Sequence, residues 1–385
     1  MIVEQLSLVD FRNYAVADLS LVAGPNVFVG RNGQGKTNLA EAIAFLATLG
    51  SHRASNDAPM VRDGADAAII RARLAHGERR VLLEAQVNRQ GSNKARVNGA
   101  PVKPAELPRY AQVVLFAPED LQIVRGDPSA RRRFADQLLV QRSPRMAGVL
   151  ADYDRVLKQR TALLKSARAR GIRAEGLSTL DVWDDKLVDL GSQLIRARLA
   201  LAQDLAGPLA AAYAAIAGAD HRPEVAWALS IAGGDPEEDT DAATRAASGR
   251  EVNDLFRVAL TARRSAELDR GLTLVGPHRD DLLLRIRDLP VKGYASHGES
   301  WSVALSLRLA SAELLRADSA LGDPVLILDD VFAELDAERR GRLAELAGGY
   351  EQVVVTAAVE EDVPDRLRAR IVRVEAGRIL AETDA

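Results

Sequence analysis

The sequence contains no cysteine, which excludes disulfides, cysteine-ligated zinc and a thiol nucleophile. That absence suits a reducing compartment. Aromatic residues make up only 4% of the chain, too few for base stacking to lead any contact with single-stranded nucleic acid. Lysine occurs only at 36, 94, 103, 158, 165, 186 and 292, and the rest of the 51 basic residues are arginine, a compositional habit that lowers the weight of any one arginine cluster. No unbroken run of about 18 apolar residues occurs, so no membrane span is expected. The opening residues carry Glu4 and Asp10 and lack the basic and apolar regions of a signal peptide, so a cytoplasmic location is expected. Bulk positive charge is lacking too: the net charge is −3, and any nucleic-acid contact must come from a local patch. What is present is 385 residues, 47% hydrophobic and 27% charged, enough for two or three structural units around a large core.

The pattern divides the chain into three stretches. Residues 1–50 read as strands leading through a turn at Gly24, Pro25 and Asn26 into the short apolar run Val27, Phe28, Val29, then a glycine-rich loop and a helix. Residues 68–102 alternate as an antiparallel ribbon with turn pairs at His76-Gly77 and Asn98-Gly99, and 113–116 is one more apolar strand. From 130 to 270 the pattern becomes helical: Leu150, Tyr153, Val156, Leu157 and Leu164 share one face, and Leu187, Leu190, Leu194, Ala197 and Leu201 follow a 3-4 spacing for about two heptads. A turn at 171–178 makes these a helical hairpin, and 233–249 reads as an exposed acidic loop. Strand signals return at 282–286, 325–328 and 353–355, around a helix at 302–317.

The string GRNGQGKT at 30–37 matches G-x4-G-K-[ST], the phosphate-binding P-loop. Its glycines let backbone N–H groups close around phosphates, Lys36 reaches the β- and γ-phosphates, and Thr37 offers a hydroxyl to Mg²⁺. A chance match has odds of roughly one in a hundred in a chain this long. Val325 to Leu328 followed by Asp329 and Asp330 is the matching apolar strand ending in acids. Asp329 would hold Mg²⁺ through water, and Asp330 would act as general base or orient the attacking water. Alone, this would read as a strand running into a helix-capping aspartate; with a P-loop upstream it reads as catalytic. A GTPase carries N-K-x-D, and the nearest string, Asn93-Lys94-Ala95-Arg96, lacks the acid, so ATP is the expected nucleotide.

A third element sets the class. Ser296, Gly298 and Glu299 precede a long helix and resemble the ABC-type signature, whose serine and glycine grip a γ-phosphate at a helix N-terminus; His297 and Glu299 depart from the usual pattern. Lying far from its own P-loop, this loop would act on the ATP of a second copy. Asp336, in the string VFAELD, resembles the loop that crosses the dimer interface of such ATPases. The switch histidine expected after the next strand is replaced by Thr356, the candidate γ-phosphate sensor.

With the openings LSLVDFRNY at 6–14, FAPEDL at 116–121, GPHRDD at 276–281 and LDDVFAELD at 328–336, the chain resembles the RecF family of bacterial DNA replication and repair ATPases, a branch of the SMC-like heads, from residue 1 to about 375. The resemblance implies an α/β fold: an ABC-type P-loop ATPase head with a mixed sheet and an antiparallel ribbon, discontinuous over 1–130 and 271–385, and a mostly helical second lobe at 131–270. It implies ATP and Mg²⁺, with Arg12 and Asn13 near the phosphates and Gly30, Arg31, Asn32, Gly33, Gln34, Gly35, Lys36 and Thr37 cradling them. Gln112, Glu119 and Asp120 are open alternatives for the Q-loop residue. It further implies an ATP-dependent homodimer, binding to gapped or junction DNA without sequence preference, partners of the RecO and RecR type, help in loading a recombinase, and slow hydrolysis that releases the dimer. Arg131, Arg132 and Arg133, or the stretch Lys158, Arg160, Lys165, Arg168, Arg170 and Arg173, could meet DNA phosphates; solvated helix faces are the plainer reading. The competing reading is the ATPase subunit of a membrane transporter; a small-molecule kinase is poorer, since it leaves Ser296 and Asp336 unexplained.

Overall fold

The computed structural model describes residues 1–54, 56–171, 178–232, 252–319 and 322–384. The chain divides into two compact units, Met1–Leu121 with Pro208–His221 and Ser296–Ala385, and Gln122–Gly207 with Arg222–Ala295.

The first unit holds two six-stranded sheets. One is antiparallel, in the order β2 (Tyr14–Ser20), β1 (Ile2–Phe11), β4 (Ala67–His76), β5 (Arg79–Asn88), β6 (Lys94–Val97), β7 (Ala100–Val102). A register shift between Val3 and Gln5 in β1 resets its alternation, which is why Val3 and Leu6, at odd spacing, both face the core. Asn98 and Gly99, both with positive φ (51° and 81°), form the two-residue turn between β6 and β7. The other sheet runs β15 (Arg378–Asp384), β14 (Arg370–Glu375), β3 (Gly24–Val29), β13 (Gln352–Ala357), β12 (Val325–Asp329), β8 (Val113–Phe116), parallel except for its β14–β15 hairpin. Helix α1 (Lys36–Thr48) is buried nearly all round, and Leu39, Ile43 and Leu46 share one core with Leu6, Ile70 and Leu83 of the antiparallel sheet and Leu115, Ile327 and Val354 of the parallel one. This is the expected ABC-type head with its antiparallel ribbon.

The expected turn at Gly24, Pro25 and Asn26 is instead the start of β3, paired with β13; the chain reverses just before it, where the Asn26 side chain accepts from Val22 N and donates to Val22 O.

The second unit combines helices with a three-stranded antiparallel sheet, β11 (Leu289–Pro290), β10 (Asp281–Ile286), β9 (Glu224–Ala228). It covers most of the expected helical lobe at 131–270, extends beyond it at both ends, and excludes 208–221. Leu164 and Ala167 of the helix Met146–Ala169 pack on Leu180 and Leu268. Arg160 is wholly buried, donating to Asp184 (2.6 Å), Glu267 (2.6 Å) and Thr273 (3.0 Å). Arg131 is likewise paired in two bonds with Asp281. Neither can be a DNA contact; in these stretches Arg133, Lys158, Lys165, Arg168 and Arg170 are exposed. The expected turn at 171–178 lies almost entirely, and the acidic loop at 233–249 wholly, outside the described residues, as does Arg173. The helix Thr179–Ala217 is long and apolar enough by length and composition to cross a bilayer, although scattered charges leave it without an unbroken apolar run. One of those charges, Arg198, is buried, bonds Asp136 through two nitrogens at 2.9 Å and lies 4.9 Å from the centre of the Trp227 ring.

Candidate nucleotide site

Strand β13 lies between β3 and β12, so the loops leaving the carboxyl ends of all three meet at one edge of the parallel sheet, where ligands of open α/β sheets bind. The P-loop leaves β3, the paired aspartates end β12, and the register sets Thr356 of β13 beside Asp329. The polar cavity there, about 340 Å³, is lined by Asn13, Asn32, Gly33, Gly35, Lys36, Thr37, Asn38, Arg53, Pro118, Glu119, Asp329 and Asp330.

Local sterics dictate the loop's glycines. A side chain at Gly30 would put its Cβ 2.2 Å from the carbonyl oxygen of Val374. Gly35 has φ 120°, and its Cβ would lie 2.7 Å from the Tyr14 hydroxyl and 2.9 Å from the Asn13 amide. Lys36 is buried and its Nζ donates to the carbonyls of Gly30 (2.7 Å) and Arg31 (3.3 Å). The ammonium is thus parked in the loop that phosphates would fill. Gln34 turns away: its Oε1 accepts from Ala376 N, and its carbonyl accepts from Asn13 Nδ2 and Gly377 N. Gly30 and Arg31 belong to the loop without lining the cavity.

Thr37 Oγ1 donates to Asp329 Oδ1 at 3.0 Å. Thr356 Oγ1 donates to the same oxygen at 2.6 Å and accepts from Asp330 N at 2.9 Å, behind the cavity rather than in its wall. Burial pushes the Asp329 carboxyl up to about 6, with the neighbouring Asp330 adding to the rise and the two threonine hydroxyls opposing it. Asp330 has φ 51°, a left-handed backbone that its bond to Thr356 holds. Among the described residues no three His, Cys, Asp or Glu side chains cluster as a complete metal cage. A hydroxyl, two carboxylates and room for phosphate oxygens fit Mg²⁺, which takes few protein ligands and completes its shell from substrate and water.

Other expected site residues lie elsewhere. Arg12 does not line the cavity; both Nε and Nη2 donate to Glu41, each at 2.7 Å. Ser296, Gly298 and Glu299 are also absent from its wall. Ser296 caps the helix His297–Asp318: its Oγ accepts from Glu299 N (3.2 Å) and the Glu299 carboxylate accepts from Ser296 N (2.9 Å). A Cβ on Gly298 would sit 2.7 Å from Arg339 Nη1. Asp336 caps the helix Ala337–Ala347, accepting from Arg339 N at 2.9 Å. Of the three Q-loop alternatives, Glu119 lines the cavity; Asp120 is tied by two bonds to Arg308, and Gln112, half-buried with its Oε1 out of solvent, is absent from the cavity wall. Sequence reading missed Arg53 and Asn38, which no motif marks; Asn38 directly follows the P-loop threonine, one signal that could have found it.

The family model described as RecF/RecN/SMC N terminal domain matches residues 2–377. The DNA replication and repair protein RecF of Clavibacter michiganensis is 61% identical, across 99% of this chain and 96% of its own length. The chain belongs to the RecF family. That of Leifsonia xyli is 58% identical across 99% of both chains. A solved structure of the recombination mediator protein RecF with ATP, from the RecFOR pathway, matches this RecF-family chain with a TM-score of 0.85 and 26% identity, over 100% of this chain and 97% of the other. The Smc head domain of Pyrococcus furiosus shares the fold at a TM-score of 0.53 and 16% identity, over 99% and 96% of the two chains. Membership in a DNA replication and repair family leaves the transporter reading without support.

Proposed function

We propose that this chain is an ATP-driven switch that closes as a dimer on gapped or junction DNA, hydrolyses ATP slowly, and opens again on hydrolysis. The observation that carries the reading is the meeting of Lys36, Thr37, Asp329 and Asp330 in one polar cavity of a RecF-family chain, a family with a member whose solved structure contains ATP.

On ATP binding, Lys36 exchanges the Gly30 and Arg31 carbonyls for phosphate oxygens, and the loop N–H groups and the N-terminus of α1 face the same charge. Arg53 supplies a second cation at the cavity wall. Thr37 and Asp329 would hold Mg²⁺, which neutralises phosphate charge when bound. Asp330, tethered through its N–H to Thr356, orients the attacking water and accepts its proton. Ser296 and Gly298 stand at the start of a 22-residue helix, and a hydroxyl that accepts from Glu299 N still has its own hydrogen to give. These groups complete the site on the ATP of a second copy, with Asp336 at the junction. Loss of the γ-phosphate removes the group that both copies grip, and the dimer opens.

DNA is held through its backbone by exposed cations such as Lys158, Lys165 and Arg170, without base readout. Help in loading a recombinase, together with RecO- and RecR-type proteins, is the role proposed in the cell; the solved RecF relative is a recombination mediator of the RecFOR pathway. The test is steady-state ATP hydrolysis with and without gapped duplex DNA, beside a Lys36→Arg control. Stimulation by DNA that the control lacks is expected. Hydrolysis indifferent to DNA contradicts the DNA-gated switch and leaves only the nucleotide site.

A further inference from the structure

The turn between β1 and β2 consists of Arg12 and Asn13, because Phe11 pairs with Tyr14. Arg12 sits there at φ 54°, a conformation that disfavours a bulky side chain and persists where its surroundings hold it. What holds it is a closed set of bonds. Besides its two bonds to Glu41, Arg12 gives Nη1 to the Pro59 carbonyl (2.9 Å) and Nη2 to the Ser51 hydroxyl (3.2 Å), and its own N–H goes to Met60 O (2.8 Å). Glu41, on α1, is almost wholly buried. Burial raises its carboxyl, but the bonds from Arg12 and Ser51 and the Arg12 charge outweigh that and keep it below the ordinary value.

A buried ion pair is weak as a source of stability, since desolvation offsets most of the attraction; it is effective at fixing geometry. The geometry fixed here is that of Ser51. Its hydroxyl donates to Glu41, and its oxygen accepts the backbone N–H groups of both Arg53 and Ala54 at 3.0 Å. The main chain of Arg53 is therefore set by Ser51. Its guanidinium is tied in turn to the P-loop: Arg53 Nη1 donates to Asn38 Oδ1 (3.1 Å), Asn38 Nδ2 to Asn13 Oδ1 (2.8 Å), and Asn13 Nδ2 to Gln34 O (2.9 Å). A side chain fixed at both ends in the wall of this polar cavity loses little freedom when it pairs with an anion.

We propose that Arg12, Glu41 and Ser51 are positioning residues that place Arg53 on the bound triphosphate. This rests on the nucleotide reading of the cavity. Arg12 then serves the phosphates at one remove, through Glu41 and Ser51, rather than by touching them.

The experiment is a double-mutant cycle on the full chain, reading ATP affinity by displacement of a fluorescent ATP analogue and kcat in the same preparations. Arg53→Ala weakens ATP binding about 10–100-fold, the loss expected for one charge-assisted contact. Ser51→Ala weakens it about 5-fold in the parent, while Ser51→Thr, which keeps the hydroxyl, restores it. In the Arg53→Ala background, Ser51→Ala changes affinity less than about 2-fold, because the residue it serves is gone. Arg12→Lys, which keeps the charge but loses the paired donors, repeats the pattern and stands in should Ser51→Ala fold poorly. Equal losses from Ser51→Ala with and without Arg53, or no loss in either, overturn the proposal. Lys36→Ala, run alongside, separates the two failures: if it leaves ATP binding intact, the nucleotide reading itself is wrong.

Discussion

Thr356 occupies the place where a switch histidine was expected, and its bonds make it a clamp on the two aspartates. Thr356→Val keeps the shape and removes the hydroxyl from a position with no solvent exposure. The Asp329 carboxylate loses a 2.6 Å bond, and Asp330 N loses its 2.9 Å acceptor. A hydrogen bond to a charged group contributes about 1.5–3 kcal/mol and a neutral one about 1 kcal/mol, so the variant should lose about 3 kcal/mol. Each kcal/mol moves the melting temperature by about 2–4 °C in a unit of this size, giving a fall of about 6–12 °C. Thr356→Ser keeps both bonds and loses one methyl, about 1 kcal/mol. ATP binding stays near parental in both, because Thr356 does not line the cavity, whereas kcat falls in the valine variant as Asp330 loses its tether. Thermal unfolding and single-turnover hydrolysis of the two variants decide the matter. A valine variant as stable as the parent but weak in ATP binding would mean that Thr356 meets the phosphate itself, and the clamp would be refuted.

Asp330→Asn should bind ATP, hydrolyse it very slowly and remain a dimer in ATP by light scattering; a monomer at saturating ATP sinks the two-chain site. Gly35→Ala meets the Tyr14 hydroxyl and the Asn13 amide in a left-handed backbone, so a loss of about 2–4 kcal/mol is expected, with ATP binding gone; a parental melting curve would contradict the reading of the loop. Burial pushes Asp280 to about 6, so the folded chain holds a proton there that the unfolded chain releases between pH about 4 and 6, and this group's contribution to stability falls as pH rises across that window, by up to about 3 kcal/mol. Burial lowers His278 to about 4, which acts in the opposite direction between pH about 4 and 6.5, so the comparison that isolates Asp280 is parent against Asp280→Asn; the same pH slope in both would refute the assignment.

The P-loop and the paired aspartates were legible because their chemistry is local: a phosphate cradle needs glycines and a lysine at fixed spacing, and a buried parallel strand shows as an unbroken apolar run. The antiparallel ribbon was legible from alternation and from Asn98-Gly99. The partners of Arg12 were not, because Glu41 and Ser51 lie 29 and 39 residues away and pairing across a helix leaves no periodic trace. Arg53 follows no motif for the same reason, being set by a hydroxyl two residues earlier and by its bond to Asn38. The burial of Arg131 and Arg160 was hidden because their partners, Asp281 and Glu267, stand more than a hundred residues downstream, so both read as surface charge. Alternation at 282–286 marks β10 as a strand but not the sheet that it joins, so the sequence groups it with the head, whereas it pairs with β9 in the second unit.

The central claim is that hydrolysis needs the P-loop of one chain and Ser296 of another. Subunit mixing tests it most directly: Lys36→Ala and Ser296→Ala are each purified, shown to be impaired in ATP hydrolysis, and combined in equal amounts. A mixed dimer contains one intact composite site, so the account predicts that activity returns on mixing, in proportion to the mixed dimers formed. Activity that stays at the level of the separate variants, with mixed dimers present, would contradict it.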